Sequence, residues 1–83
     1  MLYQVEFRPR AVRDLQGLDP QVRRRVLAKI RSMSDDLAGD VKRLTTFTPE
    51  YRLRVGDWRV LFEVADQRII VHRVRRRDAA YDG

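Results

Sequence analysis

Between Tyr51 and Phe62 apolar and basic residues take turns: Arg52 and Arg54 separate Tyr51, Leu53 and Val55, and Arg59 separates Trp58 from Val60. Gly56-Asp57 interrupts the alternation. Glycine supplies the positive φ of a type II′ corner, so the stretch predicts a β-hairpin turning on those two residues. Pairing outward from the turn sets Val55 opposite Trp58, Arg54 opposite Arg59, Leu53 opposite Val60 and Arg52 opposite Leu61. Successive side chains of a strand point to opposite faces. Tyr51, Leu53, Val55, Trp58, Val60 and Phe62 therefore share one face, and Arg52, Arg54 and Arg59 share the other. Like charges directly across a strand pair cost on the order of 0.2–1 kcal/mol. A sequence that accepts this repulsion is arranged to receive an anion.

The hairpin's second strand is expected over 58–65, and a further strand over roughly 68–75, after a turn at Asp66-Gln67. If those two residues form the loop, Phe62 faces Val71, Leu61 faces His72 and Arg59 faces Val74, which puts His72 on the arginine face. Arg73 then falls on the apolar side, where it must sit at an edge or meet an acid. Upstream, Leu2, Gln4 and Glu6 alternate with Tyr3, Val5 and Phe7, which reads as a short half-buried strand. Pro9 suits the first turn of a helix carrying Ala11, Val12, Leu15 and Leu18, stopped at Gly17. Asp19-Pro20 restarts the chain as N-cap and first-turn proline of a second helix, whose apolar stripe is Val22, Val26, Ile30, Met33 and Leu37. Gly39-Asp40 is expected to end it, and Val41 to Pro49 reads as a loop. The order β-α-α-β-β-β describes one α+β domain over 1–83: a small antiparallel sheet with a helical hairpin packed on its apolar face. The arginine face is left open.

Composition narrows the chemistry. A chain of 83 residues forms one domain with a modest core. Eighteen Lys and Arg against 12 Asp and Glu give a net charge of +6, which favours nucleic acid or another polyanion as partner. No apolar span, signal peptide or lipidation motif is visible, so no membrane association is expected. The absence of cysteine excludes disulfides and fits a cytoplasmic setting. One His and scattered carboxylates lack the usual ligand spacings, so neither a metal nor another cofactor is expected. Arg23, Arg24, Arg25, Lys29 and Arg31 spread around the second helix and read as a solvated surface.

Three strings carry a resemblance to a known family: Val41-Lys42-Arg43-Leu44, the run from Tyr51 through Val64, and Val74-Arg75-Arg76-Arg77-Asp78-Ala79-Ala80-Tyr81. In these, over most of its length, the chain resembles the RelE/ParE superfamily of toxins from bacterial toxin–antitoxin pairs. RelE-like members are ribosome-dependent endoribonucleases that cut messenger RNA in the A site; ParE-like members share the fold and poison DNA gyrase. Both are neutralised by an antitoxin. The resemblance implies that Arg52 and Arg54 stand for the two basic residues before the Gly turn, that Arg59 follows the aromatic residue of the next strand, and that Arg77 and Tyr81 are the C-terminal arginine and tyrosine. Two departures are visible. Lysines of the best-known members are replaced by Arg52 and Arg54, and a histidine common before the last arginine is replaced by Arg76.

RNA can be cut without a metal when its own 2′-OH attacks the adjacent phosphorus. Arg59 and Arg77 suit stabilisation of the charge that develops on phosphate oxygens. Arg52 and Arg54 hold their protons under all ordinary conditions, so they can grip the backbone but not act as a base. Arg76 is a further phosphate contact. Tyr81, beside cationic neighbours, and His72, if it points outward, are the candidates for proton transfer. Trp58 and Tyr51 share the core parity and read as core. The implied partners are a cognate acidic antitoxin, the ribosome and messenger RNA, with operator DNA bound by the toxin–antitoxin complex through the antitoxin. Two other readings stay open: a ParE-like gyrase inhibitor, and a catalytically silent nucleic-acid-binding domain.

Overall fold

The two expected hairpins form the centre of the sheet in the computed structural model of the chain, which describes residues 3–37, 39, 41–44 and 48–80. Strand β3 (Tyr51–Val55) pairs antiparallel with β4 (Trp58–Ala65), and β4 with β5 (Arg68–Arg76). Gly56 turns the first hairpin at φ 58°. Asp66 and Gln67 turn the second at φ 52° and 62°, the pair of positive values that a type I′ turn requires. Register in the first hairpin is as the sequence predicts: Val55 with Trp58, Arg54 with Arg59, Leu53 with Val60 and Arg52 with Leu61.

The sheet has five strands in the order β1-β5-β4-β3-β2, so two features extend the expected meander. Strand β1 (Gln4–Phe7) joins the far side of β5 in parallel, so the sheet is not wholly antiparallel. Val41–Arg43, expected as loop, forms a short strand β2 against β3, with Lys42 opposite Arg52. The helical hairpin packs on a single face, α1 against β5 and β1 and α2 against β3 and β1. This is the expected α+β arrangement. Leu2, at the start of the first expected strand, lies outside the described residues.

Helix α1 (Pro9–Gln16) begins at a proline whose missing N–H costs nothing in the first turn. Helix α2 (Pro20–Asp36) is capped by the Asp19 carboxylate, which accepts from the Gln21 N–H at 3.0 Å. Arg23 ties the two together. Its Nε donates to the Leu15 carbonyl at 2.9 Å and its Nη2 to the Leu18 carbonyl at 3.0 Å, fastening the end of α1 and the turn after it to α2. Helix α2 ends earlier than expected, at Asp36, because Leu37 adopts φ 59° and its N–H closes on the Met33 carbonyl. Asp40 lies outside the described residues.

Helix residues Ala11, Leu15, Val26, Ile30 and Met33 pack on Leu53, Val55, Val60, Phe62, Ile69, Val71 and Val74 to form the core. Phe62 is fully buried and stacks on Tyr51 with ring centroids 5.4 Å apart. Along β5 the buried residues step by two from Ile69 to Val71 and then by three to Val74. The irregular step is a β-bulge: Phe62 pairs with Val71 but Leu61 with Arg73, so His72 is the extra residue. Among the described residues no helix is long and apolar enough to cross a membrane.

Candidate nucleic-acid interface

On the face away from the helices, strand pairing lines cationic residues up in ranks. Arg54, Arg59 and Arg75 are register partners across β3, β4 and β5. One step along, Lys42, Arg52, Leu61 and Arg73 form a second rank across β2 to β5. Neighbouring strands lie about 4.8 Å apart, so the first rank sets three guanidinium-bearing residues within roughly 10 Å. Arg75 does not figure among the residues singled out from sequence, which set Val74 opposite Arg59. The bulge at His72 shifts the register by one, so Arg59 meets Arg75, Val60 meets Val74, and Leu61 meets Arg73 rather than His72. The signal for it was present in the three-residue spacing of Val71 and Val74.

The members of the ranks differ in their surroundings. Arg54 is exposed and Arg52 half-buried, and both also engage neighbours within the fold. Arg59 is only 6% exposed. Its Nη1 donates to the carbonyls of Gly56 and Trp58, both at 2.9 Å, which fixes the guanidinium against the hairpin turn. No buried side-chain nitrogen lacks a partner among the described residues, so Nε and Nη2 of Arg59 keep access to solvent. Arg77 opens the four-residue helix α3 (Arg77–Ala80), and its N–H donates to the Asp57 carbonyl at 2.7 Å. Arg59 and Arg77 are thereby brought to the same turn, one bonded to Gly56 and the other to Asp57.

Arg76 belongs to the other face. It pairs with Trp58 in the ladder and its guanidinium carbon lies 5.8 Å from the Trp58 ring centroid, a cation–π contact. His72 points to the open side, and its Nε2 lies 2.8 Å from a Glu63 carboxylate oxygen. Tyr81 lies outside the described residues.

Arg73 found the acid it needs. Its Nε and Nη2 donate to the two Asp14 carboxylate oxygens at 2.8 and 3.2 Å, and the Val74 N–H adds a bond to Oδ2 at 2.9 Å. Burial by itself would raise the Asp14 carboxyl. The Arg73 and Val74 hydrogen bonds, with the charges of Arg73 and Arg75, outweigh that and hold it below the usual carboxylate range. Arg73, bonded to that carboxylate, is held above its ordinary value.

The family described as ParE toxin of type II toxin–antitoxin system, parDE, matches residues 5–81. Toxin RelE3 of Methanocaldococcus jannaschii is 32% identical over 83 aligned residues, 94% of each chain. The RelB–RelE antitoxin–toxin complex from Methanococcus jannaschii superposes with a TM-score of 0.75 at 30% identity, over 93% of this chain and 95% of that one. The archaeal RelE–RelB complex from Pyrococcus horikoshii OT3 gives a TM-score of 0.80 at 28% identity, over 96% and 100% of the two chains. A five-stranded sheet covered by helices on one side is thus the fold that this chain shares with toxins of the RelE/ParE superfamily. The chain belongs to the family of ParE toxins of type II toxin–antitoxin systems.

Proposed function

We propose that the chain is the toxin of a RelBE-type pair and a ribosome-dependent endoribonuclease that cuts messenger RNA at A-site codons. The observation that carries this reading is the rank Arg54, Arg59 and Arg75 on the uncovered face, with Arg77 bonded into the same hairpin turn. In the reaction the 2′-oxygen attacks the adjacent phosphorus, its proton passes to a base, and the 5′-oxygen leaves with a proton from an acid. Arg59 is held by two carbonyls before any substrate arrives, so Nε and Nη2 meet the developing phosphorane charge without reorganisation. Arg77, at the start of α3 and tied to the same turn by its backbone N–H, supplies a second cation for that charge. Arg52, Arg54 and Arg75 hold the flanking backbone; Arg76, expected as a further phosphate contact, instead lies over Trp58 on the other face and is given no part in it. Tyr81 is the candidate base. His72 is the second candidate for proton transfer, with the Glu63 carboxylate fixing its ring.

The RelB chains in the complexes of the relatives support a cognate antitoxin here. An acidic, partly disordered segment would fold onto this cationic surface and offset its charge, and the resulting complex would bind operator DNA through the antitoxin. A cytoplasmic site of action goes with a ribosomal target.

Cleavage of A-site codons in a translating extract tests the reading. Arg59→Ala, Arg77→Ala and Tyr81→Phe should each lower the cleavage rate by about 100-fold or more. Full activity in all three would remove the roles assigned to them. The ParE description of the matching family favours a second reading, inhibition of DNA gyrase. A DNA-damage response on expression, with messenger RNA left intact, selects that one.

A further inference from the structure

Beside the arginine ranks, on the same uncovered side, lies a hollow of about 500 Å³ lined by Arg8, Arg10, Pro49, Leu61, His72 and Arg73. Its floor is apolar and its rim cationic. Leu61 and Pro49 are half-buried, while Arg8 and Arg10 are exposed. Arg73 is locked by Asp14 and His72 is bonded to Glu63, so those two form fixed walls. Among the described residues no carboxylate is bonded to Arg8 or Arg10.

We infer that this hollow receives one nucleotide of the single-stranded RNA, its base lying on Leu61 and Pro49 beneath the guanidinium of Arg10, and its phosphate toward Arg8. The inference rests on the RNA reading above and adds a residue-specific contact to it. Three observations carry it. A base has apolar faces and a charged backbone beside it, and guanidinium planes stack on bases as aromatic rings do. The hollow combines the two kinds of surface. Its volume falls within the roughly 300–1,000 Å³ of small-ligand sites. It is also continuous with the ranks: Leu61 follows Arg59 by two residues on β4, about 7 Å, with Arg52 and Arg73 as its register partners. A strand held at Arg54, Arg59 and Arg75 reaches Leu61 within about one nucleotide.

The test is fluorescence anisotropy with a labelled hexaribonucleotide carrying a 2′-O-methyl group at every position, which binds without being cut. Arg10→Ala and Leu61→Ala should each weaken binding about tenfold. An abasic site at one position of the probe should weaken wild-type binding to the same extent and cost Leu61→Ala nothing further. Arg10 is exposed, so its variant keeps the test clear of folding defects. If both variants bind like wild type while Arg75→Ala is weakened, the hollow is not a nucleotide site and the RNA reading stands. If wild type fails to bind the probe, the hollow does not hold a nucleotide and the inference is overturned, while the RNA reading is decided by cleavage in the translating extract. If Arg10→Ala loses affinity for an acidic peptide but keeps it for the probe, the hollow belongs to a protein partner and the inference is overturned.

Discussion

At Asp14 a single carboxylate solves two problems. Strand β5 continues beyond the last partner it finds in β1, where Phe7 meets Val71, so the Val74 N–H faces the open sheet edge. Next to it the Arg73 guanidinium is drawn partly out of solvent. Asp14 accepts from both. Its removal leaves a donor and a guanidinium without partners, and Asp14→Ala should destabilise the fold by about 1–3 kcal/mol at pH 7. Because the carboxyl titrates lower in the folded chain than in the unfolded one, its contribution is complete above about pH 4 and disappears as pH falls through the folded value. Urea denaturation across pH should show wild type and variant converging below about pH 4; an undiminished gap at pH 2.5 would contradict this. Parity along the hairpin made the shared face of Arg52, Arg54 and Arg59 legible in the sequence. It put Arg73 on the apolar side, whereas the bulge at His72 carries Arg73 to the face of Leu61 and Arg52, where it meets Asp14. The burial of Arg59 was not legible, because it depends on where the carbonyls of Gly56 and Trp58 point once the turn has closed.

Elements defined by local chemistry were read best. Proline at both helix starts, Asp19 as cap and the two turn dipeptides each specify backbone geometry within a few residues. Elements defined by distant partners were read least well. Strand β2 is three residues long, too short for alternation to register, and exists because β3 offers it an edge. The parallel placement of β1 follows from packing across the sheet and leaves no periodic signal of its own, whereas the bulge at His72 shows only as the three-residue spacing of Val71 and Val74. The second turn tests how far local geometry governs stability. Gln67 holds φ 62° without being glycine. Gln67→Gly should raise the free energy of unfolding by about 1 kcal/mol, since the left-handed conformation costs an L side chain about that much. A urea midpoint at or below that of wild type would show that the turn is held without strain.

For the molecule as a whole, topology gathers part of the positive charge on one side: the helices claim one face, so Arg52, Arg54, Arg59 and Arg75 of β3, β4 and β5 share the other. Binding of single-stranded RNA should therefore fall steeply with salt. The log–log slope grows by about 0.7 for each phosphate neutralised, so Arg75→Ala should make it shallower by about 0.7. An unchanged slope would mean that Arg75 touches no phosphate. The same topology governs when the surface comes into being. Phe7 meets Val71, 64 positions later, and no contact of such span can form until the intervening chain has been made. In a nascent polypeptide the helices precede the strand that completes the sheet, and Arg75 arrives with that strand. A chain stopped before β5 lacks both Arg75 and the strand that joins β1 to the rest of the sheet, so neither the complete sheet nor its cationic rank exists until synthesis is nearly finished.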